Sequence, residues 1–112
     1  MELKQNIGVY LEAAGSALSS LSIELLGKAR QLADAKGKKV VGFIAGQDVQ
    51  AAAKEAVTYG ADAVVTVEDA ALASYDSVLY TKAIAAVTAK YEPIVLLIGG
   101  SPDGRDLGGR LS

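Results

Sequence analysis

Two groups of residues in this 112-residue chain have types and spacings that could do chemistry. The first is Gly99-Gly100-Ser101-Pro102-Asp103-Gly104-Arg105-Asp106, which follows an apolar run. A phosphate loop has glycines at the spacing of Gly99 and Gly104, then a lysine for the phosphates and a hydroxyl residue for magnesium. Arg105 and Asp106 stand in those two places. The aspartate would repel phosphate, and Pro102 removes a backbone donor from the cradle. The same residues suit a plain helix start: Ser101 caps, Pro102 fits the first helical position, and Asp103 complements the positive end of the dipole. That leaves Arg105, Asp106 and Arg110 without a role. The second group is Glu12, Glu68 and Asp69, each just after an apolar run, where a phospho-receiver domain keeps its metal-binding acids. Glu12 lacks the acidic neighbour that chemistry needs, and no fifth strand is present to supply its lysine. Capping or solvation accounts for these carboxylates more simply. Finally, Glu12-Ala13-Ala14-Gly15-Ser16 stands where a G-x-G-x-x-G dinucleotide turn would follow the first strand, and it reads as a hairpin-like or extended loop.

Composition narrows the chemistry further. The chain has no cysteine and no histidine, so thiolate nucleophiles, disulfides, histidine-dependent triads and zinc sites cannot be built from it. A net charge of -2 supplies no basic field for nucleic acid, and the one basic pair, Lys38-Lys39, reads as solvated. MELKQNIGVYLEAAG has no extended apolar core after its basic residue, and no apolar run approaches the roughly 18 residues of a membrane span. The expectation is a cytoplasmic protein with no nucleic-acid partner and no membrane insertion.

The elements that must position these residues alternate cleanly. Ile7 to Leu11, Val40 to Ala45, Ala63 to Val67 and Ile94 to Ile98 are short runs, apolar on both faces, as strands of a helix-covered parallel sheet are. Between them lie helical faces. Leu25, Leu26, Ala29, Leu32 and Ala33 form one; Val49, Ala52, Ala53, Ala56 and Val57 a second; Leu79, Ala83, Ala86 and Val87 a third. Gly37 and Gly60 suit helix C-termini, Pro93 ends the third helix, and Asp48 and Ser74 are candidate N-caps. The fold class is therefore α/β, a doubly wound parallel sheet of the nucleotide-binding, Rossmann-like type, in one domain spanning residues 1–112. Its working rim comprises residues 12–16, 46–48, 68–70 and 99–106, at the carboxyl ends of the strands.

Five segments in register, SIELLGKARQLAD, YGADAVVTVED, LASYD, EPIVLLIGG and GRDLGGR, resemble the N-terminal domain of the electron transfer flavoprotein α-subunit. The resemblance runs from about Gly8 to the last residues. Its helix start falls on Ser22, Glu24, Leu25 and Leu26, and its G-A-D on Gly60, Ala61 and Asp62. The family's G-[RK]-[DN]-L-x-P-R element falls on Gly104, Arg105, Asp106, Leu107 and Arg110. Gly109 replaces the proline and Gly108 precedes it. Each glycine costs about 1 kcal/mol relative to alanine inside a helix, so this helix is less firmly specified than in typical members.

The resemblance implies an electron-carrying subunit that pairs with a homologous β-subunit. Such a subunit passes electrons from acyl-CoA dehydrogenase-type flavoenzymes through FAD to a downstream acceptor. It also implies that FAD is held mainly by a C-terminal domain absent from this sequence, with no catalytic, cofactor-binding or metal-binding residue on this segment. The segment would then be a non-catalytic scaffold and subunit interface, with Arg105 and Arg110 as candidate interface residues. The family's domain continues past GRDLGGR, so the expectation is a partial domain, a piece of a longer protein truncated after its fourth strand. The residues also leave open a small adenine-nucleotide-binding α/β module, against which Asp103 and Asp106 in the last loop argue.

Overall fold

In the computed structural model, which describes residues 3–112, four parallel strands form the central sheet: β1 (Ile7–Tyr10), β4 (Val40–Gly46), β5 (Ala63–Glu68) and β6 (Val95–Leu97). Two further short strands, β2 (Ala13–Ala14) and β3 (Ala17–Leu18), form an antiparallel hairpin just after β1. The helices are α1 (Ser20–Lys36), α2 (Gln50–Thr58), α3 (Ser77–Tyr91) and α4 (Pro102–Leu111), with a single 3-10 turn at Ala70–Leu72 before α3. The sheet order is β5-β4-β1-β6. The chain therefore builds outward from β1 through β4 to β5, then crosses back to the other side of β1. This reversal is the switch point of a doubly wound sheet, and it lies between β1 and β6.

Alternation along the strands divides the core between the two faces. Ile7, Val9, Val40 and Ile44 pack with Leu26, Ala29 and Ala33 of α1 and Ala52 and Ala56 of α2. Tyr10, Val41 and Phe43 pack with Tyr80 and Ile84 of α3 and Leu107 of α4. Leu107 is fully buried, so the apolar contact holds α4 helical despite Gly108 and Gly109. Gly37 closes α1 in the left-handed conformation, at φ 64°. α2 ends at Thr58, with Tyr59 between it and Gly60, which takes φ 120°.

Three local expectations are corrected. The buried residues of α3 are Tyr80 and Ile84, whereas Leu79 is 40 % exposed and Ala86 is exposed. Tyr80 buries its ring while its hydroxyl donates to the Leu72 carbonyl, and so takes the inner place expected of Leu79. On α2 the helix turns Val57 outward, to 53 % exposure. The caps differ too. Asp76, not Ser74, caps α3, accepting from Val78 N at 3.0 Å and Leu79 N at 2.9 Å. Asp48 makes no cap: Val49 holds that position without a side-chain bond, and its N–H donates instead to Glu68 Oε1 at 3.1 Å.

The G-A-D segment has a structural use far from the rim. Asp62 accepts from Val40 N at 2.8 Å and from Arg30 at 2.9 Å, and Arg30 also donates to the Gly60 carbonyl. Burial pushes the Asp62 carboxyl up, but the Val40 N–H and Arg30 outweigh it and hold it below the usual range.

Among the described residues β6 pairs only with β1, and Ile94 and Val95 are 50 % and 38 % exposed beside its other edge. An apolar strand with an unpaired edge invites pairing with another copy. The 112-residue chain should therefore self-associate at micromolar concentration in sedimentation velocity, and Val95→Lys should return it toward monomer. A wild-type chain that sediments as a monomer throughout would contradict this.

Candidate functional site

The rim begins where β1 stops. Ser22, 1 % exposed, accepts from Glu12 N at 2.8 Å and from the Ser19 hydroxyl at 2.9 Å, and donates to the Glu12 carbonyl. Ser19 caps α1 through Ser22 N. This buried knot turns the chain out of β1, through the hairpin and into α1. The hairpin follows the expectation for residues 12–16, with Gly15 at φ 68° at its tip. Glu55 of α2, whose role was not visible in the sequence, fastens the hairpin by accepting from Leu18 N at 2.7 Å.

The Glu12 side chain points across the switch point. Its carboxylate accepts from the Ser101 hydroxyl at 2.8 and 3.0 Å. Ser101 in turn caps α4, accepting from Gly104 N at 3.0 Å. Pro102 and Asp103 take the first-turn places expected of them. A Cβ on Gly104 would collide with the Gly99 carbonyl oxygen, so glycine is required there for close approach of α4 to the end of β6. In a dinucleotide-binding sheet this crevice receives phosphate against the helix N-terminus. Here the chain's own carboxylate lies on the cap, with Asp103 in the same first turn. Two negative charges at the α4 end of the crevice oppose a phosphate there. The α4 cap as it stands does not suit a phosphate group.

The other two candidate acids serve the backbone. Glu68 accepts from Val49 N, and Asp69 accepts from Ala71 N at 2.9 Å to cap the 3-10 turn. Among the described residues no three carboxylates converge as a metal site would require.

The structure gives Asp106 and Arg110 the roles that the helix start alone did not. Tyr75 donates to Asp106 Oδ2 at 2.8 Å, and Arg110 Nε reaches the same carboxylate at 3.2 Å. LASYD and GRDLGGR, widely separated in sequence, meet at this contact. The Ser77 hydroxyl first, then Tyr75 and Arg110, hold the Asp106 carboxyl below its usual range. Burial, and then Asp106, push the Tyr75 hydroxyl up to about 12. Arg105 is different: it is exposed, lies over Gly100, and takes part in no ion pair among the described residues.

No described helix is long and apolar enough to cross a membrane. Residues 7–112 match the family model described as the electron transfer flavoprotein domain. The chain is 36 % identical to the electron transfer flavoprotein subunit alpha of Thermoanaerobacterium thermosaccharolyticum, covering 96 % of this chain and 33 % of that protein. It is 38 % identical to the acryloyl-CoA reductase electron transfer subunit beta of Anaerotignum propionicum, covering 95 % and 29 %. To Protein FixB of Rhizobium meliloti it is 36 % identical, covering 96 % and 32 %. The chain thus spans about a third of the length of these curated relatives.

Asp106 yields a pH prediction. A carboxyl whose folded pKa is depressed adds stability above its unfolded value, and that stability is lost as pH falls through the folded one. Asp106→Asn should melt at a lower temperature than wild type at pH 7, and the gap should close below about pH 4. Thermal melts of both proteins between neutral and acid pH check this, and a gap that stays constant would contradict it.

Proposed function

The chain belongs to the electron transfer flavoprotein family, and from that premise we propose that it is the N-terminal scaffold and subunit-interface domain of an α-subunit. In this reading the segment is a partial domain of a longer, cytoplasmic protein. The FAD that moves electrons from acyl-CoA dehydrogenase-type flavoenzymes to an acceptor is held by the remainder of that protein. The segment itself performs no catalysis. Its partner is the homologous β-subunit.

The observation that carries this reading is the Glu12 carboxylate on the Ser101 cap. A sheet of nucleotide-binding topology whose switch point is filled from within retains the architecture without the ligand chemistry. The same contact disfavours the adenine-nucleotide module. Electrostatics of α4 support an interface role for Arg105, an exposed guanidinium with its forked donors available for a carboxylate or carbonyl across a subunit boundary. Arg110 can contribute through its exposed side, but its Nε is already bonded to Asp106.

The test uses the full-length subunit. Arg105→Ala should weaken association with the β-subunit about tenfold, the scale of losing a hydrogen bond to a charged group. Calorimetry of subunit association, with flavin absorbance read in parallel, measures this. Association and flavin retention equal to wild type would count against the anchor role.

A further inference from the structure

The rim carries a cleft of about 350 Å³ at the carboxyl ends of β1 and β4. Its walls include three tyrosines, Tyr10, Tyr75 and Tyr80, and three carboxylates, Glu12, Asp48 and Asp103. Among the described residues no lysine or arginine lines it. Two of the tyrosine hydroxyls are engaged elsewhere, Tyr75 on Asp106 and Tyr80 on the Leu72 carbonyl. Tyr10 is the exception. It is 98 % buried, at 2 % exposure, and lines the cleft, yet its hydroxyl has no hydrogen-bond partner among the described residues. The hydroxyl oxygen itself is not sealed off, since the buried unpartnered side-chain atom among the described residues is Thr81 Oγ1, so a group entering the cleft can take a hydrogen bond there.

The surroundings restrict what that can be. Burial first, then Glu12, the two neighbouring tyrosines and Asp103, push ionisation of the Tyr10 hydroxyl far above its ordinary value. The carboxylates of Glu12, Asp48 and Asp103 around the cleft repel anions and favour cations. Asp48 makes no helix cap, so its carboxylate is not spent on α2. A metal ion is not provided for, because among the described residues no three carboxylates come close enough together to share one. A larger cation can bridge separated acceptors. The half-buried Tyr75 ring, backed by Tyr80 with centroids 4.9 Å apart, offers the aromatic surface that organic cations favour.

We propose that this cleft binds an organic cation, a guanidinium or ammonium group, seated against the Tyr10 hydroxyl with its charge directed to Glu12, Asp48 and Asp103. A guanidinium suits the site well, since its planar fork presents five donors across a wide span. The group can arrive on a side chain of a protein partner or as a free amine.

The 15N-labelled chain at low ionic strength tests this by amide-shift titration with four probes: N-acetyl-arginine amide, putrescine, the uncharged N-acetyl-citrulline amide and inorganic phosphate. The two cations should shift amides at Tyr10, Gly46, Asp48 and Asp103, and the uncharged and anionic probes should not. Tighter binding of the arginine amide marks a partner's side chain as the source, and tighter binding of the diamine marks a free amine. Tyr10→Phe and Asp48→Asn should each weaken the cation Kd about three- to fivefold, the scale of one hydrogen bond or one partly exposed charge contact. No shift with either cation, equal shifts with citrulline amide or phosphate, or wild-type affinity in either variant would overturn the proposal.

Discussion

A single carboxylate spanning the switch point organises the working end of this molecule. Glu12 leaves the end of β1 and reaches Ser101 at the start of α4, a residue 89 positions away. The bond works in two directions. It ties the first strand to the last helix, and it places negative charge on the α4 cap, a helix end that would otherwise favour an anion. Both consequences rest on the Ser22 knot, which fixes the backbone of Glu12 from both its N–H and its carbonyl. In the proposed reading the fold is kept in this way as a platform, and the electron-carrying cofactor is held by the rest of the protein.

A second set of contacts makes α4 part of the body rather than a loose end. Leu107 supplies the apolar anchor, and Asp106 gathers Tyr75, Ser77 and Arg110 around one carboxylate. Each contact compensates for the weak helical preference of a segment with three glycines inside it. The result is a helix whose inner face is committed and whose outer face presents Arg105.

The strands were legible because burial on both faces leaves a dense apolar signal, and β1, β4 and β5 lie within a residue of the runs that marked them. The inner face of α1 was legible for a similar reason. Helix α3 was misread by about one position because Tyr80 hides a buried ring behind a polar hydroxyl. Capping failed where distant residues intervened: Val49, held by Glu68 of another strand, takes the N-cap place expected of Asp48. The segment Ser101-Pro102-Asp103 was read correctly, since a helix start is local chemistry. What Glu12 does there was not, because no pattern in one sequence pairs a carboxylate with a hydroxyl so far along the chain. The open hydroxyl of Tyr10 was equally hidden, as that residue counts simply as one apolar member of β1.

The central claim is that the switch point is closed to phosphate from within. Titration calorimetry of the 112-residue chain with ADP and with FAD tests it most directly. The structure predicts no saturable heat with either ligand at up to millimolar concentration. Stoichiometric micromolar binding of either one would contradict the account, because a phosphate could then displace Glu12 from the Ser101 cap.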